Sequence, residues 1–519
     1  MNRIKSLTLS LLAVVAMVSC SNQGDVTIKN ETLVLKVSMP EGFQSKVSLG
    51  NLSGGSAPQF WNTGDCIAVV KGRGTSSMTY SVYRLIGDGG TAEAEFEYVS
   101  GNAGLDGEID VVYPVSAAAK ESAVPHSQEY TAGGYDPESV VLSWHGESGV
   151  PAGETITLAN ESAVLCLQYT GVETQKVSLV RVKIRLSDGT YDTYVLSKRS
   201  GVALSSSPSS FFISVPEVSE GSEVIFETVL TDQSVMRMTS QNKTFKSGVI
   251  YRFAPVPFVA NVVPEEGYDV YLCIGQSNMA GRGEILAEDN GIMDGIYLLD
   301  GTGTPVPAKV PFNIYSTVRK KMSMQKFGLH NVFADEIYKF TGRKTLLVLN
   351  ARGGTSIVSW LKGAETLVRS EEYSDDESLW GQEIPRLYDE AVRRALQAME
   401  FGQLKGILWH QGEGDSSDDE ALQYVDRLKL LVADLRNDLG VDENVPFVMG
   451  HVSLALRKAP VINPQLTRAA EEIPNAFCTS SQGCEIQNDN THFKRSGYIV
   501  MGKRYSAFIL KEVYGIKVD

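Results

Sequence analysis

From residue 26 to about residue 256, apolar and polar positions alternate with a period of two. Leu33, Leu35, Val37 and Met39 are interleaved with polar neighbours, and so are Ala92, Ala94, Phe96 and Tyr98. In the sharpest case Val180, Val182, Ile184 and Leu186 alternate with Arg181, Lys183 and Arg185, then run into Asp188-Gly189 and a second apolar run over residues 191–196. That pattern predicts a hairpin with one face buried and the other wet. Further short runs (residues 66–70, 80–86, 109–113, 165–169 and 224–230) lie between clusters of Gly, Ser, Pro and Asp, and none keeps helical spacing. So many short strands exceed one small sandwich. The expectation is two tandem β-sandwiches, over residues 26–155 and 156–257.

Past Pro255, Pro257 and Pro264 the pattern changes to strand–helix alternation. Strand-like runs at residues 270–274, 296–299, 345–349, 406–409, 446–449 and 476–479 are separated by amphipathic stretches. One stripe is Leu387, Ala391, Ala395 and Met399. Another is Leu422, Val425, Leu428, Val432, Leu435 and Leu439, stopped by Gly440. A last helix is predicted from about Arg495 to Tyr514. A linker at residues 258–267 therefore leads into a three-layer α/β domain at residues 268–519. Its parallel sheet is covered on both faces, and ligands belong at the carboxyl ends of its strands.

Charge narrows the partners. Lys and Arg number 47 against 62 Asp and Glu, a net charge of −15, which argues against a nucleic-acid partner. Six scattered His exclude a His-rich metal store. Arg3 and Lys5 precede an apolar run at residues 7–18, too short to span a membrane but suited to an export signal. The run ends in Met17-Val18-Ser19-Cys20, which resembles a bacterial lipobox. The resemblance implies a signal peptide at residues 1–19, acyl chains on Cys20, a tether at residues 20–25 and an exported lipoprotein of the outer membrane. Cys66, Cys166 and Cys273 lie in apolar runs and read as buried small hydrophobes. Cys478 and Cys484 bracket a short loop, and the sequence leaves open whether they pair.

Four strand ends in the α/β half carry candidate chemistry. The first ends in GQSNMAGRG (residues 275–283), where a Ser on a strand-to-helix turn is lifted out of the sheet as a nucleophile. NARGGTSI (residues 350–357) offers glycines whose N–H groups can approach a substrate without a Cβ in the way. GILWHQGEGD (residues 406–415) offers an amide donor and a carboxylate. Asp489 and His492, three apart, pair a carboxylate with one imidazole nitrogen and leave the other for a substrate. His410 and His451 also lie at strand ends, and His451 is the alternative base.

These blocks resemble the SGNH hydrolases, in the branch that contains sialate O-acetylesterases and the acetyl xylan esterases of carbohydrate esterase family six. IYLLD (residues 296–300) and PFNIYSTVRK (residues 311–320) resemble that branch too. The nucleophile block lacks the Gly-Asp-Ser of the wider SGNH pattern, and Gln411 stands where Asn is usual. The resemblance implies a flavodoxin-like α/β domain and a serine esterase acting on O-acetylated carbohydrate without metal or organic cofactor. It casts Ser277 as nucleophile, His492 as base and Asp489 as its orienting carboxylate. The oxyanion donors would be the N–H groups of Ser277 and Gly353, or of Gly354 in its place, with the Gln411 amide. Gln276, Asn278, Arg352 and Glu413 would support the site or touch substrate.

The β-rich half carries FWNTGD (residues 60–65), YPVS (113–116), QEY (128–130) and KSGVIYRF (246–253). These resemble the fimbrillin-like lipoproteins of Bacteroidetes, which implies either a spacer at the cell envelope or a module that binds glycan or an envelope protein. Two classes of function stand side by side: a tethered carbohydrate esterase, and an adhesin or pilus-associated lipoprotein whose hydrolase domain is secondary.

Overall fold

Three β-sheets and an α/β domain stack face to face along the molecule. A computed structural model describes residues 34–518 except residues 40–42, 48–55, 58–60, 76, 119–123, 152, 264, 370–373, 375–379 and 416. The export signal, Cys20 and the tether lie outside the described residues.

The outer sheet has eight strands, with Val34–Ser38, Glu93–Gly101, Thr79–Leu85, Cys66–Lys71 and Ile109–Tyr113 adjacent in that order. The middle sheet is built around Ser162–Thr170, flanked by Ser209–Pro216 and Val249–Arg252. The inner sheet runs Val235–Phe245, Val218–Leu230, Lys176–Arg185, Tyr191–Ala203. The middle sheet serves two cores at once. Val164 and Cys166 face the outer sheet, while Ala163, Leu165, Leu167 and Tyr169 on the same strand face the inner one. That is why this strand reads as a nearly unbroken apolar run, as strands covered on both faces do.

The boundary expected at 155/156 is accordingly not a division between sheets. Phe43–Val47, from the first stretch, pairs in parallel with Val249–Arg252 in the middle sheet, and Ser127–Glu129 pairs in parallel with Tyr191–Ala203 in the inner one. The β-rich half is a stack of three sheets with two cores, crossed by the chain in both directions. The expected linker is also tied down at its start: Phe258 is buried, and the Asn261 side chain bonds both the N–H and the carbonyl of Arg237.

The hairpin of residues 176–203 forms as expected, but its second face is wet at Arg185 and not at Arg181. Arg181 is 1% exposed. It points at the α/β domain, where it donates to the carbonyls of Tyr338 and Lys339 and to Glu227. Leu179, Val195 and Val229 of the inner sheet join the apolar core of that domain. At the far end of the chain, Ile516–Lys517 adds a short parallel strand beside Tyr191 and Asp192.

The α/β domain holds the strands Pro305–Pro307, Ile296–Leu299, Thr345–Ala351, Tyr268–Gly275, Gly402–His410, Phe447–Gly450 and Ala476–Thr479, adjacent in that order. All pair in parallel except the first. Its helices are α1 (Ser277–Ala280), α2 (Leu329–Thr341), α3 (Leu387–Met399), α4 (Asp418–Leu422), α5 (Tyr424–Asp438), α6 (Ala459–Glu472) and α7 (Arg495–Tyr514). Helices α3, α5 and α6 cover one face of the sheet, while α2 and α7 cover the other and lie against the inner β-sheet. Leaving aside Ile296–Leu299, the parallel strands follow the flavodoxin-like order. The chain reverses direction across the sheet at Tyr268–Gly275, the position where such sheets open a crevice for ligand.

Candidate active site

The strand Tyr268–Gly275 delivers Ser277 at that crevice. Gly275 has φ +132°, and a Cβ there would lie 2.3 Å from the carbonyl oxygen of His410, so only glycine lets the chain leave the sheet this closely. Ser277 follows as the first residue of α1, 6% exposed.

Its Oγ lies 2.9 Å from His492 Nε2, and His492 Nδ1 lies 2.6 Å from Asp489 Oδ2. Asp489 and His492 occupy the turn before α7 rather than the helix itself. The other carboxylate oxygen, Oδ1, accepts from the N–H groups of Thr491 and His492, each at 2.9 Å, so this turn is braced by the residue that orients the base. Burial alone would raise the Asp489 carboxyl, but the hydrogen bonds from His492 and Thr491 hold it below its ordinary value. A serine, an imidazole and an ionised carboxylate thus stand in one file, the arrangement that activates a hydroxyl for attack on a carbonyl.

Of the two candidate glycines the structure brings Gly353 against the nucleophile. A Cβ at Gly353 would lie 3.2 Å from Ser277 Cβ, whereas one at Gly354 would meet Lys320 Nζ. Among the described residues no acceptor pairs with the N–H groups of Ser277 and Gly353.

Gln411 departs from the expectation. It is fully buried, and its amide nitrogen already donates to Asp415 Oδ2 (2.5 Å), the Thr355 carbonyl (3.0 Å) and Gln276 Oε1 (3.2 Å), while its oxygen accepts from Tyr424 Oη (2.8 Å). Gln411 therefore ties three strand-end loops together instead of facing the hydroxyl. Asp415 completes the tie by accepting from the Ile357 N–H at 2.7 Å, and burial pushes its carboxyl up to about 6. Gln276 Oε1 also accepts from the Gly414 N–H. Arg352 donates to the carbonyls of Val318 and Arg319 and so fixes the neighbouring loop. Asn278 and Glu413 bond each other through Asn278 Nδ2 and Glu413 Oε1 at 2.5 Å.

The remaining histidines lie apart from this file. His410 is fully buried, donates to or accepts from Tyr505 Oη, and is pushed by burial down to about 3. His451 pairs with Thr467 Oγ1 at 2.8 Å. Cys478 and Cys484 are both unpaired thiols.

Two residues with a place here gave no separate signal in the sequence. Asp415 closes the block GILWHQGEGD without a role of its own there. Arg282 looked like part of a glycine-rich turn, yet its Nη2 lies 2.9 Å from where a Gly353 Cβ would be, and it donates to the Gly281 and Met324 carbonyls. Arg282 also lines a cavity of about 600 Å³ shared with Lys326, Gln487, Lys494, Arg495 and Glu284. The Gln487 N–H holds the carbonyl of His492, so this cavity adjoins the base.

The file assigns unequal losses to its members. His492→Ala is expected to lower kcat on a simple acetyl ester by roughly 10⁶, and Asp489→Asn by roughly 10⁴, because the second keeps the base and removes only its orienting charge. Steady-state kinetics on both variants check this; equal losses, or the reverse order, would contradict the assigned roles.

Residues 267–511 match the family model described as carbohydrate esterase, sialic acid-specific acetylesterase. A probable carbohydrate esterase of Arabidopsis thaliana is 25% identical over 158 residues, covering 30% of this chain and 52% of that protein. The chain thus spans about half the length of this curated relative. Among solved structures, that of the same Arabidopsis thaliana protein aligns at 21% identity over 47% of this chain and 98% of that one, with a TM-score of 0.40. NanS aligns at 17% identity over 49% of this chain and 100% of that one, TM-score 0.37. A carbohydrate acetylesterase from Xanthomonas citri aligns at 13% identity over 67% and 73%, TM-score 0.35.

Proposed function

We propose that this chain is a serine esterase that removes O-acetyl groups from carbohydrates, and that it favours sugars bearing a carboxylate, such as sialic acid. The observation that carries the reading is the unbroken contact from Asp489 through His492 to Ser277. The family matched by residues 267–511 supports the acetylated-sugar substrate.

In the acylation half, Ser277 Oγ attacks the acetyl carbonyl while His492 Nε2 takes its proton. The oxyanion settles against the N–H groups of Ser277 and Gly353, donors worth roughly 3–4 kcal/mol each in such sites. His492 then gives its proton to the departing sugar oxygen, and Asp489 stabilises the imidazolium in between. Water repeats the cycle on the acyl-enzyme and releases acetate.

The cationic cavity beside the base supports the carboxylated sugar. Arg282, Lys326 and Lys494 line it against one lining carboxylate, Glu284, in a chain of net charge −15, while Arg495 on the same wall is already paired with Asp289 and Glu288. A local field of that sign against the overall charge concentrates anions at the site. The test is acetate release from a panel of O-acetylated acidic and neutral sugars. An acidic sugar is expected to lead in kcat/KM, and Lys494→Gln to cost it about fivefold (~1 kcal/mol) while sparing neutral sugars. Equal rates on both classes, unmoved by Lys494→Gln, would leave acetyl removal standing and discard the carboxylate preference.

The lipobox-like start belongs to the same reading. In it Cys20 carries acyl chains and the protein is exported to the outer membrane.

A further inference from the structure

Asn278 joins the two parts of the catalytic centre. It follows the nucleophile on the same turn, is fully buried, and has both polar atoms of its side chain engaged. Nδ2 donates to Glu413 Oε1 at 2.5 Å and to the Thr491 carbonyl at 3.0 Å. Oδ1 accepts from Tyr498 Oη at 2.7 Å and from the Phe493 N–H at 3.3 Å. Thr491 and Phe493 are the two neighbours of His492. Asn278 therefore sets the distance between the turn that carries Ser277 and the turn that carries the base, and Glu413 is the one carboxylate among its four partners.

Resting on the esterase reading above, we propose that Glu413 is a positioning residue of acyl transfer, acting through Asn278 on the Ser277–His492 contact. It touches neither the substrate nor the reacting atoms. An ionised acceptor makes the shorter and stronger hydrogen bond, about twice as strong as a neutral one. The tether is tightest when Glu413 carries its charge and slackens when it is protonated.

The surroundings make that charge costly. Burial is the main cause that pushes the Glu413 carboxyl up to about 7, the bond from Asn278 opposes it, and the like charge of Asp415 on the same turn adds to it. The other titratable groups around it are Asp489 and His492 on the catalytic turn, Tyr424 on α5, Tyr498 and Tyr505 on α7, and Arg282 beside Tyr498. Because the folded value lies above the ordinary 4.5, the native state holds this proton more tightly than the unfolded chain. The protein therefore loses stability as pH rises from about 4.5 to about 7, and the deficit persists above that. Activity takes the opposite course and gains as Glu413 ionises. A positioning charge that costs stability is a trade known at catalytic sites.

Glu413→Gln in the full chain separates this from a structural role. The amide keeps an acceptor for Asn278 and removes the charge. Above pH 7 the variant is expected to lose about tenfold in kcat with KM within about twofold, and its acid limb should reduce to the single proton taken up by His492. Phosphonylation of Ser277 by a fluorophosphonate should slow in parallel. At pH 8 the variant should melt higher than the parent, with the two converging near pH 5, whereas a residue needed only for packing would lower the melting temperature. Since Glu413 acts through Asn278, adding Glu413→Gln to Asn278→Ala should cost nothing further. Unchanged kcat and labelling rate in Glu413→Gln, a loss confined to KM, a lower melting temperature at pH 8, or additive losses in the double variant would each overturn the role. A parent protein that the fluorophosphonate leaves unlabelled would instead overturn the esterase reading itself.

Discussion

Ser277→Ala is expected to lower acetyl-ester turnover by at least about 10⁴-fold, with circular dichroism and melting temperature unchanged. The loss is large because the hydroxyl is the atom that forms the acyl bond, and none of its neighbours can replace it. The carboxylate of the file, Asp489, is engaged with His492 and with two N–H groups. The fold should be indifferent, since among the described residues Ser277 Oγ bonds only His492 and alanine suits the opening of α1. A residue of rate should survive from the N–H groups of Ser277 and Gly353, which the substitution leaves in place. Released acetate, measured beside the spectra, is the check. A variant retaining more than about one hundredth of the parent rate would remove Ser277 from the chemistry.

The parts of the site that were legible in the sequence are those whose chemistry is local. Ser277 and Gly353 sit on short blocks at strand ends and Asp489 and His492 on a short block before the last helix, and the strand-to-helix period identifies those places without any knowledge of contacts. Gln411 shows the limit. As an amide at a strand end it reads as a donor to substrate, but its use is decided by Asp415, Thr355 and Gln276, which reach it only in three dimensions. Asn278 and Glu413 are similar: 135 residues separate them, and their 2.5 Å bond leaves no trace in the pattern.

The same division runs through the fold. Helix α7 and the stripes of α3 and α5 are plain from periodicity, because one face of each meets one sheet. Helix α6 is concealed by Pro460, tolerated in the first turn where N–H groups have no intrahelical partner, and by Pro464, which removes one donor inside the helix. The stacking of the β-rich half was hidden for another reason. Alternation reports which side of a strand is apolar, not which sheet the strand joins, so the exchange of Phe43–Val47 into the middle sheet carries no local signal. A hairpin with alternating Arg and Lys reads as half exposed, and only the presence of α2 buries Arg181.

Removal of that arginine should produce the largest change in stability without touching the chemistry. Arg181 caps the C-terminal end of α2 by donating to the carbonyl of Lys339 and to that of Tyr338, which also accepts from the Gly342 N–H. It also pairs with Glu227, itself 2% exposed and shared with Lys183 and Arg237. Burial alone would raise the Glu227 carboxyl, but Arg181, Lys183 and Arg237 hold it down at about 2, so its contribution is complete above pH 4.5 and fades as pH falls through 2. Methionine at position 181 fills most of the volume and satisfies none of these groups. The expected cost is about 3 kcal/mol, the scale of breaking one side of a buried ion pair. Because α2 runs antiparallel to the strand Thr345–Ala351 that follows it, its C-terminal end lies opposite the strand ends that carry Ser277 and Gly353. Arg181→Met should therefore melt several degrees lower and be cut faster by protease near residues 258–267, while kcat/KM on a small acetyl ester at 25 °C stays within twofold. Arg181→Lys should recover little, since one ammonium cannot reach two carbonyls and a carboxylate with the geometry of the guanidinium. An unchanged melting temperature would mean that the β-sheets and the α/β domain hold together without this contact, whereas a fall in kcat/KM would mean that the seam and the active site are coupled through α2.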